Sequence, residues 1–370
     1  MTRVAIVANG FADGPAQALR DWLVGRGAEV VEVAHPLTPE QGTEHVVVHW
    51  QDGAAVSRRA RRVPLRPPAS FAADPFVPLR LPRVDAWFGF NPLACAQGLV
   101  QRRLGRAGRV VLWSVDFVPD RFGPGTALTR LYDRLDRHCC RRADARVELS
   151  EAARAARDRR HGLDGEGAPA VVVPMGAWLD RVPTVPEDGH ARRRVVFLGH
   201  LVERQGVATL IDAIALLDDV ALDVIGGGPE EDALRARAAP LGDRVRFHGF
   251  VPDHREVEQL LAGASLAAAP YVPDPTSFTR HADPGKLKAY LAAGLPIVLT
   301  DVPPNAHELA AKAGAELVPS EPGALAAAIG RAHDDPAAWQ ARRAAALTYV
   351  RRFDWDVLLA DALPQLGLHV

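Results

Sequence analysis

The chain has 370 residues, of which 48% are hydrophobic and 24% are charged. This composition is ordinary for globular proteins, and it excludes a disordered chain, a collagen-like repeat and a small disulfide-stapled domain. The 44 basic and 45 acidic residues leave a formal net charge of -1, so no global field favours nucleic acid or an anionic membrane as a partner.

The three cysteines predict reduced, buried thiols in a cytoplasmic protein. Cys139 and Cys140 are adjacent and rarely bridge each other, and the sequence has no Cys-x-x-Cys pair or Cys/His zinc spacing. The first apolar run, Val4–Ala8, is too short for a signal peptide, and no stretch approaches the ~18 apolar residues of a membrane span. We expect no transmembrane segment and no metal; peripheral membrane contact and oligomeric state stay open.

The amino-terminal half alternates between buried-strand and helix patterns. Val4–Ala8 and Glu29–Val33 are apolar strands, and Pro15–Arg26 between them is helix-like. Further strands are predicted at Glu44–Trp50, Ala86–Phe88, Arg109–Trp113, Arg146–Leu149 and Ala170–Val173, with helices near Leu93–Arg103, Leu128–Arg141 and Ser150–His161. Between them, Gln51–Pro82 is rich in Pro and Arg and is predicted to contain a long irregular loop.

The same alternation restarts after Pro174–His190, where Pro, Gly and acidic residues break the periodicity and predict an interdomain linker. Strands are predicted at Arg194–Leu198, Ala221–Ile225, Val245–His248, Leu266–Ala269, Ile297–Leu299 and Glu316–Val318, and helices at Gly206–Leu217, Glu230–Ala239, Val257–Ala262 and Gly285–Ala293. Two such halves predict an α/β protein with two doubly wound, Rossmann-like domains. Ligands in such sheets bind outside the carboxyl ends of the strands, so two facing domains predict a cleft.

Five glycine-containing turns follow predicted strands and are candidate ligand sites. They are Asn9–Gly14, Phe197–Gly206, Ile225–Glu230, Phe247–Pro252 and Asp283–Pro296. Glycine at such a position lets backbone N–H groups approach an anion at a helix N-terminus. In the first turn two alternatives stay open: Gly10 belongs to a phosphate-binding loop, or to a tight turn before a helix that begins at Pro15.

The C-terminal turns carry the candidate nucleotide contacts. Gly199 permits close approach of a ligand, while His200 and Arg204 offer positive charge to a diphosphate. Gly226 and Gly228 form the next strand-end turn.

Taken together, these turns resemble the glycosyltransferase family 4 group, which has the GT-B fold. That family runs from a Gly-Arg-Leu…Lys-Gly segment through Gly-x-Gly-Pro and Phe-x-Gly-Phe-Val-Pro to a Leu-x-Glu-Tyr/Ala-x-Ala-x-Gly-x-Pro-Val-Val helix and strand. Order and spacing match over Arg194–Asp301, whereas the resemblance is weak over residues 1–175. It implies sugar transfer from a nucleotide sugar without a required metal, with positive side chains and helix dipoles holding the diphosphate.

The resemblance also assigns the domains and the base contact. It implies an acceptor-binding domain over residues 1–175, a linker over 176–192, a nucleotide-sugar domain over 193–350 and a last helix over 351–370 that crosses back. Base recognition is expected from the backbone around Phe250 and Val251.

The chain departs from the family at the donor site. The family's Glu-x(7)-Glu pair aligns with His281 and Ala289, so the usual ribose contact is missing, and His281 either stands beside the donor sugar as a catalytic residue or is a loop histidine. Some relatives carry Pro-x-Lys-Leu-x-Glu-Tyr here, which Pro284–Leu287 resembles. We therefore expect Lys286, with Leu287 and the N-terminus of its helix, to bind the phosphates.

Two neighbours of Lys286 keep alternatives open. Asp283 either orients hydroxyls of the donor sugar or caps the helix. Lys286 and Lys288 could instead form an exposed, solvated helix face.

In the amino-terminal half, Asp116 follows the strand that ends at Trp113 and is the candidate acceptor residue. A carboxylate at this strand end could deprotonate the acceptor hydroxyl in an inverting reaction. In a retaining reaction the leaving diphosphate would take the proton and Asp116 would position the acceptor. As a further alternative, Asp116 is a loop or helix-capping residue. The arginine-rich stretches Arg58–Arg62 and Arg154–Arg160 could attract an anionic acceptor or a membrane surface, but in a chain so rich in arginine they are interpreted as solvated faces.

These features predict a glycosyltransferase that moves a sugar from a nucleotide-diphospho sugar, with UDP as the default nucleotide, to a hydroxyl of a small-molecule, natural-product or glycan acceptor. The missing glutamates keep a non-catalytic sensor or scaffold with the same fold as the main alternative. A second alternative is an epimerase or phosphorylase of this fold. Donor sugar, acceptor and stereochemical outcome stay open.

Overall fold

The computed structural model of the protein describes residues 2–10, 14–74, 76–77, 81–163, 165–274 and 278–369. It contains two compact units. Met1–Pro174 and Trp355–Val370 form the N-terminal unit, and Met175–Asp354 forms the C-terminal unit. Within these stretches, no helix combines the length and apolar character that crossing a bilayer requires.

The described residues of the N-terminal unit form one eight-stranded sheet in the order β4-β3-β2-β1-β5-β6-β7-β8. Its strands are β1 Arg3–Asn9, β2 Glu29–His35, β3 Glu44–Gln51, β4 Ala54–Arg62, β5 Val84–Gly89, β6 Ala107–Trp113, β7 Ala145–Glu148 and β8 Ala170–Val172. All neighbours pair in parallel except β2 with β3 and β3 with β4. The central residues of the parallel strands β1, β5 and β6 are buried, which explains the short apolar runs within them.

Helices complete this unit. They are α1 Pro15–Gly25, α2 Pro92–Arg103, α3 Ala127–Arg142, α4 Glu151–His161 and, from the end of the chain, α12 Trp355–Gln365. Three of them begin at side chains that accept a hydrogen bond from the first turn, namely Asn91, Thr126 and Ser150. The last helix is tied to α1 by an ion pair of 3.3 Å between Arg26 and Asp356.

The expected irregular loop over Gln51–Pro82 is wrong in its first part. Ala54–Arg62 is a nine-residue strand at the edge of the sheet, joined to β3 by Asp52 and Gly53, which have φ values of 51° and 82°. Asp-Gly in this left-handed conformation is the signature of a tight hairpin turn, and it was the signal that composition obscured. The arginines of β4 are exposed, as expected for Arg58–Arg62, and such charges discourage pairing at a free edge.

The C-terminal unit contains a six-stranded parallel sheet in its described residues, in the order β11-β10-β9-β12-β13-β14. Its strands are β9 Arg194–Leu198, β10 Ala221–Ile225, β11 Val245–Gly249, β12 Leu266–Ala269, β13 Ile297–Leu299 and β14 Glu316–Leu317. Its helices are α5 Val207–Ala215, α6 Glu231–Ala238, α7 His254–Ala262, α8 Gly285–Ala292, α9 Ala306–Ala313, α10 Pro322–Asp334 and α11 Pro336–Val350. The direction of the strand order changes between β9 and β12, which is where the ligand crevice of a doubly wound sheet opens.

The segment expected to be a linker is packed into the C-terminal unit. Val185 is fully buried, and its N–H donates to the carbonyl of Ala293 at 2.8 Å. Arg343 donates to the carbonyl of Val185 at 2.7 Å. The boundary between the units therefore lies at Pro174 and Met175, and the following stretch is part of the second core.

Candidate functional site

Three glycine turns meet at the carboxyl edge of the C-terminal sheet. The N–H of Gly199, after β9, donates to the carbonyl of Ile225 at 2.9 Å, and the N–H of Gly226, after β10, donates to the carbonyl of Gly249 at 2.8 Å. Gly226 has a φ of 128°, and a Cβ there would lie 2.0 Å from the carbonyl oxygen of Gly199. Only glycine fits this contact, which brings the turns after neighbouring strands together.

Lys286 points its ammonium group at this edge. It lies in the first turn of α8, and its Nζ donates to Oε1 of Gln205 at 2.5 Å. The same Nζ lies 4.3 Å from the ring centre of Phe197 and 4.5 Å from that of Tyr271. A Cβ on Gly199 would come within 3.2 Å of Nζ, so the glycine leaves the space beside the cation open.

The surroundings of Lys286 disfavour the charged form of its amine. Burial lowers the pKa of the amine from its ordinary 10.5 to about 7. Among the described residues, no carboxylate forms an ion pair with it. A dianionic group placed beside Nζ would supply the missing counter-charge, which is the property of a phosphate site.

The other predicted nucleotide residues surround this edge in different ways. His200 is exposed, Arg204 is partly buried in the short helical turn Glu203–Gln205, and the ring of Phe250 is 75% exposed next to the partly buried Val251. These residues leave polar or aromatic groups accessible to a ligand.

Two of the predicted nucleotide contacts are also fixed by the packing of the fold. Leu287 is fully buried, and its N–H donates to the carbonyl of Pro284 at 3.1 Å, so neither its side chain nor its N–H is available to a nucleotide. A Cβ on Gly228 would lie 2.4 Å from the carbonyl oxygen of Leu201, so this glycine is required by packing within the turn.

Asp283 and Lys288 form a buried ion pair below the site. Lys288 is 1% exposed, so its expected place on a solvated helix face is wrong. The carboxylate of Asp283 also accepts the N–H of Met175 at 2.7 Å and the side-chain amide of Asn305 at 3.2 Å. Asp283 does not cap α8, and these partners favour a scaffold role over the predicted contact with the donor sugar.

His281 lies between a short helical turn, Phe278–Arg280, and the buried Asp283, and it is partly exposed. Its neighbour Arg280 lines a cavity of about 660 Å³ together with Asp274, Asp301 and His307. The predicted catalytic or donor-sugar role of His281 stays a prediction.

In the N-terminal unit, Asp116 is paired with an arginine that the sequence pattern did not single out. The side chain of Arg121 donates to the carboxylate of Asp116, and both residues line a cavity of about 400 Å³. The walls are largely apolar and include Phe71, Phe90 and Tyr132. The spacing of five residues within a loop carried no signal for this pair.

A buried charge cluster fixes the backbone of the Asp116 loop. Arg157 of α4 donates to the carbonyl of Asp116 at 3.0 Å and to the hydroxyl of Ser114. It also pairs with Asp136 and, at 3.0 Å, with Glu148. Arg157 is 3% exposed, so the interpretation of Arg154–Arg160 as a solvated face is wrong at this position.

Gly10, in the first glycine turn, has no backbone N–H free to bind a phosphate. Its N–H donates to the carbonyl of His35 at 2.8 Å, which speaks against the predicted phosphate contact through this group. The rest of the predicted loop, Phe11–Asp13, lies outside the described residues.

Comparison with known proteins finds a family match for part of the C-terminal unit. Residues 192–335 match the family described as glycosyl transferases group 1. A phosphatidyl-myo-inositol mannosyltransferase of Mycobacterium leprae is 30% identical over 59% of this chain and 57% of its own length. The chain thus spans little more than half of this curated relative.

Solved structures show the same fold over the whole chain. Sucrose-phosphate synthase from Thermosynechococcus elongatus superposes with a TM-score of 0.74 and 17% identity, covering 99% of this chain and 98% of its own. Anabaena HepE, solved in complex with UDP, superposes with a TM-score of 0.69 and 19% identity over 99% of this chain and 100% of its own. The two Rossmann-like units therefore form a GT-B fold, as the sequence predicted.

Proposed function

We propose, from the match of residues 192–335 to the glycosyl transferases group 1, that the protein transfers a hexose from a nucleotide-diphospho sugar to an acceptor hydroxyl. The observation that carries the proposal is the ammonium group of Lys286, held beside Gly199 at the carboxyl edge of the C-terminal sheet without a carboxylate partner among the described residues. UDP is the proposed nucleotide, supported by its presence in the complex of HepE.

The donor diphosphate would lie against Lys286 and the first turn of α8. Binding of the phosphates would restore the charge of the amine, because a nearby anion raises the pKa that burial has lowered. The partial positive charge of the helix N-terminus adds to this field. Both act on the leaving group, whose negative charge grows as the bond to the sugar breaks.

The base and the sugar would extend from the phosphates in opposite directions. The exposed ring of Phe250 lies after β11, on the side of the sheet away from β12, and offers an apolar surface to the nucleobase while the adjacent backbone reads its edge. His200 and His281 remain the proposed neighbours of the phosphates and of the donor sugar.

The acceptor would occupy the cavity beside Asp116 in the N-terminal unit. Its apolar walls favour an acceptor that carries an apolar group as well as the reacting hydroxyl. Arg121 holds the Asp116 carboxylate, so this side chain is oriented before the acceptor binds.

In the transfer, the acceptor oxygen forms a bond to the anomeric carbon while the bond from that carbon to the phosphate oxygen breaks. The hydroxyl proton goes to Asp116 if this residue is the base, or to the departing phosphate if Asp116 only positions the acceptor.

A panel of nucleotides tests the donor half of the proposal. Thermal unfolding of the wild type and of Lys286→Ala would be followed with UDP, GDP, ADP, dTDP and CMP. A nucleotide present at 100 times its dissociation constant stabilises the protein by about 2.7 kcal/mol. We expect one diphosphate to raise the Tm of the wild type and to raise that of Lys286→Ala much less.

Lys312 provides a matched control. It is an exposed lysine of α9 that pairs with Glu308 at 3.0 Å, so Lys312→Ala removes the same charge elsewhere in the same unit. Its response to the nucleotide should equal that of the wild type. A panel without any shift would contradict the donor site.

A further inference from the structure

We propose that His35, His45 and Asp74 bind one divalent metal ion of the zinc class inside the N-terminal unit. The three side chains are completely buried. Each offers a nitrogen or oxygen ligand atom, and these atoms all lie within 4.8 Å of one another. No other group of described His, Cys, Asp and Glu side chains converges in this way.

The three ligand atoms have the spacing of a metal coordination sphere. The Nδ1 atoms of His35 and His45 are 2.8 Å apart, and Oδ1 of Asp74 lies 3.7 Å from the first and 3.5 Å from the second. A circle through the corners of a triangle with these three sides has a radius of about 2.0 Å. A point slightly above the plane of the triangle is therefore about 2.0–2.1 Å from all three atoms, which is the Zn–N and Zn–O bond length.

Hydrogen bonding alone leaves this cluster incomplete. One imidazole can donate its Nδ1–H to the other, but Oδ1 of Asp74 then has no donor among the described groups. A buried carboxylate oxygen without a partner is costly, whereas a cation would bind all three atoms at once.

The surroundings of the cluster resemble an outer shell of hydrogen bonds. The second oxygen of Asp74 accepts the side-chain amide of Asn9 at 2.9 Å, and Asn9 in turn accepts the amide of Asn91 at 2.7 Å. Such partners orient ligating side chains.

The position of the ligands indicates what the ion would do. His35 ends β2, His45 lies in β3, and Asp74 follows the short helical turn Ala69–Ala72. The chain just before Asp74 supplies Pro67, Pro68 and Phe71 to the wall of the cavity that contains Asp116. The ion would tie this wall to the sheet, a structural role that is separate from the transfer reaction.

Metal analysis of the purified full-length chain tests the proposal. The protein would be stripped with a chelator, and its affinity for Zn²⁺ would be measured by competition with a chromophoric chelator. We expect one ion per chain, and at least a hundredfold weaker binding in Asp74→Asn and in His45→Ala. His49→Ala, on the same strand β3, should bind like the wild type because His49 lies outside the cluster.

Cobalt substitution gives a readout that requires no variant. Co²⁺ bound to the wild type should show visible bands stronger than those of hydrated Co²⁺, and Zn²⁺ should displace it. A folded wild type without stoichiometric binding, a spectrum of hydrated Co²⁺ only, or variants that bind as tightly as the wild type would overturn the proposal.

Discussion

The side chain of Lys286 donates to Gln205, which immediately precedes Gly206 in the segment where the resembling family carries Lys-Gly. The amine thus comes from α8, 81 residues later in the chain, and lies beside the position where this chain has Gln205 and the resembling family has Lys. We infer that this amine supplies the positive charge expected beside a diphosphate. This relationship supports the proposed binding of a nucleotide at this edge.

Nucleotide affinity should depend on pH through Lys286. The free amine has a pKa of about 7, and only its protonated form attracts the diphosphate. Above pH 7 binding must therefore be accompanied by proton uptake, and affinity should fall by up to about tenfold per pH unit. Calorimetric titrations in buffers of different ionisation enthalpy would measure this uptake. An affinity that stays constant between pH 7 and 9 would contradict the role of this amine.

Lys286→Met should stabilise the nucleotide-free protein. Below pH 7 the lysine is charged in both the folded and the unfolded state, and burial penalises only the folded state. Between pH 7 and its ordinary pKa of 10.5 the folded state loses the proton first, so the penalty disappears as pH rises. We expect Lys286→Met to be more stable than the wild type by on the order of 1 kcal/mol at pH 6. The gain is this small because solvent screens the partly exposed amine, and it should shrink towards pH 10. Urea unfolding at both pH values measures it, and an unchanged difference would refute the low pKa.

Arg157→Ala should destabilise the N-terminal unit strongly. It leaves the buried carboxylates of Asp136 and Glu148 without their shared cation and frees the Asp116 loop. Removing one partner of a buried pair costs about 3–5 kcal/mol. Arg154→Ala, on the exposed side of the same helix, should cost less than about 1 kcal/mol. Chemical denaturation of both variants measures the two losses in the free energy of unfolding. Equal losses would show that the buried cluster stabilises the unit no more than an exposed ion pair does.

Gly226→Ala should disrupt the carboxyl edge of the C-terminal sheet, where the donor is proposed to bind. The new Cβ would collide with the carbonyl oxygen of Gly199 in a backbone conformation that alanine rarely adopts. We expect a loss of more than about 2 kcal/mol and weaker nucleotide binding. Gly323→Ala is the control, since a Cβ at Gly323 has open space and no unusual φ. Thermal unfolding with and without UDP separates the two effects; a variant as stable as Gly323→Ala would contradict the close packing of these turns.

Asp116→Asn should impair turnover without weakening the binding of the donor. If Asp116 is the general base, kcat should fall by about 10²–10⁴. If it only positions the acceptor, KM for the acceptor should rise and kcat should change little. Asp120→Asn, which instead removes a partner of Arg160, is the control. Steady-state kinetics with a fixed donor distinguishes the cases, and kinetics like those of the wild type would remove Asp116 from the acceptor site.

The sequence predicted the parallel sheets from the largely apolar runs of β1 and β2 on either side of a helix pattern, whereas a strand with one solvated face would alternate apolar and polar residues. It missed β4, whose exposed arginines show no apolar alternation. It also misjudged Lys288 and Arg157, since charged side chains are read as exposed unless their partners are known, and those partners come from other elements of the fold.

In the candidate sites, short local motifs could be predicted from the sequence, whereas contacts between distant residues could not. The glycine turns were found because each is a short local signal. The pairing of Lys286 with Gln205, of Asp116 with Arg121 and of His35 with His45 depends on how strands and loops are arranged. Spacing along the chain does not report such contacts.

Release of nucleoside diphosphate from a panel of UDP-, GDP-, ADP- and dTDP-sugars, with hydroxylated acceptors that carry apolar groups, tests whether the protein transfers a sugar with the help of Lys286. We expect the wild type and Lys312→Ala to consume one class of donor at similar rates and Lys286→Ala to be slower by at least tenfold. Binding of a nucleotide sugar without any release would favour the non-catalytic alternative. Consumption of donor at the same rate by Lys286→Ala would contradict the account.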